Sequence, residues 1–247
     1  MIFKEIPIIR YDRGERKSIH DPVIEENWID LYVNGRLLMG TPVLEQEIDE
    51  LVYGFLFMEG YIGFGDRITI TRKPDGVYAV LPGEVALRTV KELVDCAYSK
   101  IVFKEDINKV ESAGRIGAET VVSLMHDFQK LPSVYHETGG VHMAAFAGGS
   151  GIEYWSDDIS RRNAVDKTIG KLFLDNNSIP EGVMLSSGRI SSDIVLRLIR
   201  LKIPVILSVS APTVKGVELA EEYGITVCGF VRGRRFNIYS HPDRIIF

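Results

Sequence analysis

The stretch VMLSSGRISSDIVLRLIRLKIPVILSVSAPTVKGVELAEEYGITVCG, residues 183–229, decides the fold. Three short apolar runs, Val183–Ser186, Pro204–Val209 and Ile225–Gly229, are separated by two segments of helical period. In Ser191–Leu201 the residues Ile194, Val195, Leu198 and Ile199 fall on one helix face, and Thr213–Tyr223 forms the second helix. Strands alternating with helices predict a mostly parallel sheet with right-handed crossovers. Upstream, Arg161–Phe173 reads as a helix with Val165, Ile169, Leu172 and Phe173 on its apolar face. Val141–Ala147 reads as a buried strand, Gly148-Gly149-Ser150-Gly151 as a tight turn, and Ile152–Trp155 as the returning strand. Gly114–Phe128 is expected to be helical, and Phe236–Tyr239 a last edge strand.

The N-terminal half has another style. Asn34-Gly35 joins Ile29–Val33 to Arg36–Met39, and an Asn-Gly pair between two such runs is a strong hairpin signal, because both positions tolerate positive φ. Pro74-Asp75-Gly76 joins Ile68–Thr71 to Val77–Leu81 in a second hairpin. Between them Ile48, Leu51, Val52, Phe55 and Leu56 mark a helix, with Glu45, Glu47 and Asp49 at its positive end and Gly60 able to stop it. Glu84–Ser112 gives no comparable period. The expected division is an α+β part over residues 1–112 and an α/β core over residues 113–247, with no repeat and no Pro-, Gly- or Ser-rich linker between them.

The chain has 247 residues, 45% hydrophobic and 26% charged, enough for one large domain or two small ones. Lys and Arg number 29 against 34 Asp and Glu, giving net −5 and a pI of about 5.6. That balance argues against a protein that coats nucleic acid, though it allows a local basic patch. No apolar run approaches the ~20 residues of a membrane span. The first ten residues carry Lys4 and Glu5 and lack a secretory apolar region. Two cysteines, Cys96 and Cys228, form no disulfide framework, so a reducing, cytoplasmic setting is expected.

Open α/β sheets bind ligands at the carboxyl ends of their strands, where helix N-termini point. Here two such ends run into Ser186-Ser187-Gly188-Arg189-Ile190-Ser191 and Ser208-Val209-Ser210-Ala211-Pro212-Thr213. Hydroxyls and free N–H groups at helix starts suit a phosphate, and Arg189 adds a fork of donors. Plain helix capping explains the same residues, with Pro212 in a first turn. His136-Glu137-Thr138-Gly139-Gly140-Val141-His142 holds two histidines and a glutamate, but at no metal-ligand spacing; its glycines point to close backbone approach. Ser156–Lys167 gathers acids, bases and Asn163 in a loop and first helical turn. A solvated helix start with Asp166 and Lys167 facing water is the plain reading, and a site on the face shared by Asn163 and Asp166 is the alternative. Phe230-Val231-Arg232-Gly233-Arg234-Arg235 sets three arginines in four positions, suited to phosphates and guanine edges or simply a charged turn. Cys228 lies in an apolar strand pattern and reads as core. Cys96, among Asp95, Ser99 and Lys100, is either an inert cysteine or a thiolate helped by Lys91 or Lys100. Dinucleotide, Walker and nucleophile-elbow motifs are missing.

These residues, taken in order, resemble the FdhD family, the sulfurtransferase accessory proteins of formate dehydrogenase. The likeness runs through Val33-Asn34-Gly35, Thr41-Pro42, Gly54–Phe57 with Glu59-Gly60, and Thr138-Gly139-Gly140 with His142. It continues through Asp158–Arg161, Asn163–Lys167 with Gly170, Ser187-Gly188-Arg189 with Ser191, Ser210–Thr213, Gly229-Phe230, Arg232 and Asn237–Tyr239. The resemblance implies a cytidine-deaminase-like three-layer α/β core with a smaller, mainly antiparallel N-terminal part. It implies a homodimer that takes persulfide sulfur from a cysteine desulfurase. The sulfur passes to a molybdenum or tungsten bis(pterin guanine dinucleotide) cofactor for formate dehydrogenase, and a GDP-like guanine nucleotide can mimic that client. Neither nucleic acid nor a membrane is an expected partner.

By the same resemblance Cys96 carries the persulfide, and Phe230–Arg235 binds the cofactor. Thr138, Gly139, Gly140, His142, Ser187, Gly188, Arg189, Ser210 and Thr213 join it as candidates. The chain departs from the family pattern where Ser99 replaces a second cysteine, Ala97 and Lys100 replace glycines, and Arg162 replaces a histidine. A chaperone that binds the cofactor without sulfur chemistry is therefore the competing function. A nucleoside deaminase, suggested by the implied fold alone, lacks the zinc ligands it would need.

Overall fold

The computed structural model describes residues 2–82, 108–112, 114–176 and 178–247. The chain opens with a two-stranded antiparallel ribbon, β1 (Phe3–Asp12) and β2 (Glu15–Ile24), turned at Arg13 and Gly14, both with positive φ. A four-stranded sheet follows in the order β4-β3-β6-β5, from β3 (Asn27–Val33), β4 (Arg36–Val43), β5 (Thr69–Lys73) and β6 (Gly76–Val80). Both expected hairpins form, with Asn34 and Gly35 at φ 47° and 79°, the pairing that a tight two-residue turn demands. Helix α1 (Ile48–Met58) covers this sheet, seating Ile48, Val52, Phe55 and Leu56 on Leu31, Val33, Val77 and Ala79.

The larger unit is a six-stranded sheet in the order β13-β12-β11-β10-β8-β9. Its strands are β8 (His142–Gly148), β9 (Gly151–Asp158), β10 (Val183–Ser186), β11 (Val205–Ser208), β12 (Thr226–Arg232) and β13 (Arg235–Ser240). The parallel ladders of this sheet join β10, β11 and β12, while β8 and β13 run against them. The glycine turn after Gly148 and the Gly233 turn each fold an edge strand back, so the sheet is mixed where the strand–helix alternation pointed to a mostly parallel one. Helices lie on both faces. α4 (Arg161–Asp175), α5 (Ser192–Leu201) and α6 (Val214–Tyr223) enclose Ala144, Phe146, Met184, Ile206 and Val227 on one side. On the other, α2 (Ala118–Phe128) seats Val121, Met125 and Phe128 on Met143, Ala145, Leu185, Leu207 and Cys228. Residues that alternate along β8 thus feed two cores, giving three layers.

Helix α2 begins at Ala118 rather than Gly114, because β7 (Ile116–Gly117) pairs with β14 (Ile245–Ile246) just before it. A short helix, α3 (Val134–Thr138), precedes β8. The smaller sheet joins the larger unit through α1 and α4, which cross at two glycines: a β-carbon on Gly54 would overlap the carbonyl of Asp166, and one on Gly170 that of Glu50. Among the described residues no helix is long and apolar enough to cross a membrane.

Candidate functional site

The carboxyl ends of β10, β11 and β12, the start of β8 and the end of β9 meet at one end of the six-stranded sheet. The loops there are tied into a row. Ser187 Oγ accepts from the Met143 amide at 2.9 Å and lies 3.4 Å from His142 Nδ1. Ser186 Oγ accepts from the Gly188 amide, and Ser208 Oγ donates to the Gly188 carbonyl at 2.7 Å. The Phe230 amide donates to the Ser210 carbonyl, and Arg232 Nε donates to the Val209 carbonyl. Thr138 Oγ1 accepts from the Gly140 amide, and Gly139 takes φ 65° to end α3 just before His142. Sequence-distant candidates therefore share one rim, and their hydroxyls are chiefly loop braces. Only Thr213 acts as the expected cap, accepting from the Gly216 amide.

Two helix N-termini converge on this rim without side-chain caps. Ser160 before α4 and Ser191 before α5 both lack one. Arg161 links the two ends, donating from Nη2 to Ser191 Oγ at 3.1 Å and standing 3.9 Å from Asp193. Its Nε is buried with no hydrogen-bond partner. Gly188 is held against the Arg161 side chain and the His142 ring, so a β-carbon there would crowd both. Arg189 is exposed at the same turn. Burial and the charges of Arg161 and Arg189 hold His142 below the usual imidazole range, with Asp158 opposing them. Burial alone would raise Asp193, but the Ser191 hydroxyl and the charges of Arg197, Arg161 and Arg162 hold it below the usual carboxylate range. Two open helix starts, two arginines and an unpartnered N–H form a setting for an anion of the phosphate class.

The charged turn 156–167 differs from its plain reading. Ser156, Asp157 and Asp158 end strand β9 rather than forming a loop, and Asp158, Asp166 and Lys167 are buried rather than facing water. Lys167 Nζ sits 2.7 Å from Asp158 Oδ2, with neither side chain exposed, and donates to the Leu44 carbonyl at 2.9 Å. Asp158 also accepts from the Leu44 and Ser160 amides and from Asn163 Nδ2. Asn163 reaches the Pro42 carbonyl at 2.9 Å. Arg197 grips Asp166 with two hydrogen bonds, at 2.6 and 2.9 Å, and Arg162 pairs with Glu59 at 2.9 Å. Buried charges are tolerated only when paired and hydrogen-bonded, and here each is. This network holds the end of β4 and the end of α1 to the start of α4, fixing the rim from beneath.

At the far side, Phe230, Val231 and Arg232 belong to β12, with Phe230 at φ 51°, and Gly233, at φ 58°, turns the chain into Arg234 and Arg235. Arg232 lies over the Phe230 ring at 5.7 Å, and Arg234 Nη2 donates to Glu119 Oε1 at 3.2 Å. A cavity of about 340 Å³ opens between this turn and α2. Glu119 and the arginine-bridging role of Arg161 were missed in the sequence. The helical spacing of Glu119, Val122 and His126 on one α2 stripe was the available signal for the first. Cys228 is buried and its thiol is pushed up to about 12 by burial, as suits a core residue. Cys96 lies outside the described residues.

A three-layer α/β protein with an anion-ready rim is the class that fold and site define. The FdhD/NarQ family pattern matches residues 24–246, and the chain belongs to this family. It is 33% identical over 248 residues to the sulfur carrier protein FdhD of Bacillus subtilis, covering 96% of this chain and 95% of that one. It is 32% identical to the protein of the same name from Methanothermobacter thermautotrophicus, over 99% of each chain. A solved structure of a proposed formate dehydrogenase accessory protein from Desulfotalea psychrophila matches over all of both chains, with a TM-score of 0.82 at 24% identity, which shows the shared fold.

Proposed function

We propose that this protein is a sulfur carrier that serves a formate dehydrogenase. Cys96 receives sulfur when its thiolate attacks the outer sulfur of a cysteine desulfurase persulfide, leaving the desulfurase as thiolate and Cys96 as persulfide. The outer sulfur then goes to a molybdenum or tungsten bis(pterin guanine dinucleotide), the client and not a resident group, whose reduced metal would supply the two electrons that make it sulfide as Cys96 leaves as thiolate. The observation that carries the client reading is the rim itself. Arg161 presents a buried, unpartnered Nε beside two uncapped helix N-termini, with His142, Arg189 and the Ser187-Gly188 backbone around it. A pyrophosphate is the group in such a client that matches those donors. Arg232, Arg234 and Arg235 extend the positive edge around the β12–β13 turn. The name of the curated relatives supports the sulfur step. The reading places the protein in the reducing cytoplasm as a homodimer, and light scattering tests the dimer.

The test is calorimetric titration with GDP as a stand-in for one end of the client, together with rescue of a host lacking its own copy. Wild type binds GDP and restores formate dehydrogenase activity, and Cys96→Ala binds GDP without restoring activity. GDP binding and full rescue by Cys96→Ala would instead favour a chaperone that delivers the cofactor without sulfur chemistry, a reading motivated by Ser99 at the position of a second cysteine.

A further inference from the structure

The cavity of about 340 Å³ beside the β12–β13 turn is built from two elements far apart in sequence. Glu119, Val122 and His126 form one stripe along α2, Gln129 follows at its C-cap, and Gly233 and Arg234 close the opposite side. Glu119 and Arg234 stand side by side, Arg234 Nη2 donating to Glu119 Oε1 at 3.2 Å. A carboxylate accepts two N–H donors that lie in one plane, and an arginine donates to a carbonyl oxygen. Set next to each other, they complement an edge that runs donor, donor, acceptor. That is the edge of a 2-amino-4-oxopyrimidine ring, the part that guanine and a pterin share. Adenine has a donor where guanine has the carbonyl, an acceptor where guanine has the ring N–H, and no 2-amino group. Val122 gives the ring an apolar surface, and Gln129 and His126 offer polar groups along the same wall.

We infer that Glu119 and Arg234 read this edge of the client, making Glu119 a specificity-determining residue. The inference rests on the proposed function, because it assigns one end of the same client. Glu119 is 83% exposed in its side chain, so its replacement leaves the fold intact. Glu119 accepts from the ring N–H and the exocyclic amino group, and Arg234 moves from the carboxylate to share the ring carbonyl.

The test is equilibrium binding of GDP, inosine diphosphate (which lacks the 2-amino group), ADP and free pterin to wild type, Glu119→Ala and Glu119→Gln. A hydrogen bond to a charged group sets the expected scale. Wild type prefers GDP to inosine diphosphate by about ten- to a hundredfold. Both variants lose that preference, because they weaken GDP more than inosine diphosphate, which keeps the ring N–H but has no amino group to lose. If the loss falls on pterin instead and GDP binding is unmoved, the same pair reads the pterin end, and the inference holds for that source. Wild-type binding of GDP or pterin that neither variant changes would overturn the inference and leave the proposed function standing. Failure of wild type to bind either ligand would overturn both.

Discussion

Gly54 on α1 lies directly against the backbone carbonyl of Asp166 on α4, with no room for a β-carbon. Gly170 repeats the contact in reverse, against Glu50. Two helices that touch backbone to backbone fix the smaller sheet on the larger unit, and Asp166 in turn carries Arg197. Gly54→Ala and Gly170→Ala should each lower unfolding free energy by at least ~2 kcal/mol, since neither helix can retreat without breaking the ion pairs beside it. Denaturant titration checks this, and wild-type stability in either variant would show that the crossing is looser than the structure has it.

The Lys167–Asp158 pair makes a second prediction. Removing one partner leaves a charge stranded in the interior, so Lys167→Met should cost about 3–5 kcal/mol. Lys167→Met combined with Asp158→Asn should cost less than the sum of the two single changes, because the stranded charge is gone. A double-mutant cycle in chemical denaturation measures the coupling, and simple additivity would count against a direct pair.

His142 sets a pH dependence. Its folded pKa lies below the unfolded value near 6.5, because burial comes first and Arg161 and Arg189 add to it. The neutral ring's contribution to stability is therefore present above pH ~6.5 and is lost as pH falls through the folded pKa. A bound diphosphate brings negative charge beside the ring and should raise that pKa. Titration by NMR with and without GDP reads both values, and an unchanged His142 on nucleotide binding would remove the phosphate from this rim.

The two thiols should differ sharply. Cys228 is buried and stays protonated, its thiol pushed up to about 12. In native protein a disulfide reagent should modify one cysteine, abolished by Cys96→Ala and unaffected by Cys228→Ala, with both reacting after unfolding. Reaction of Cys228 in native protein would mean that strand β12 opens more readily than its packing indicates.

The strands β10, β11 and β12 were legible because each is an apolar run bounded by small polar residues, and Asn34-Gly35 announced its hairpin. The ribbon β1–β2 was not, because Ile6, Ile9, Tyr11 and Val23 remain exposed while Pro7 and Pro22 interrupt the pattern, so no buried face imposes a period of two. The polar start of α4 misled for a different reason. Asn163, Asp166 and Lys167 have the composition of a solvated helix, and only the tertiary partners Pro42, Leu44, Asp158 and Arg197 show that they are interior. The rim was legible as two similar Ser-rich loops and an arginine cluster. Its internal bracing was hidden, since Ser187 and Ser208 spend their hydroxyls on backbone groups many residues away.

As a sulfur carrier, the protein should hold sulfur on one cysteine. Intact mass after incubation with a cysteine desulfurase and cysteine tests it most directly, in wild type and Cys96→Ala. Wild type should gain one sulfur atom, removed by reductant and missing from Cys96→Ala. No added sulfur on wild type, while a competent acceptor in the same assay is loaded, would contradict it.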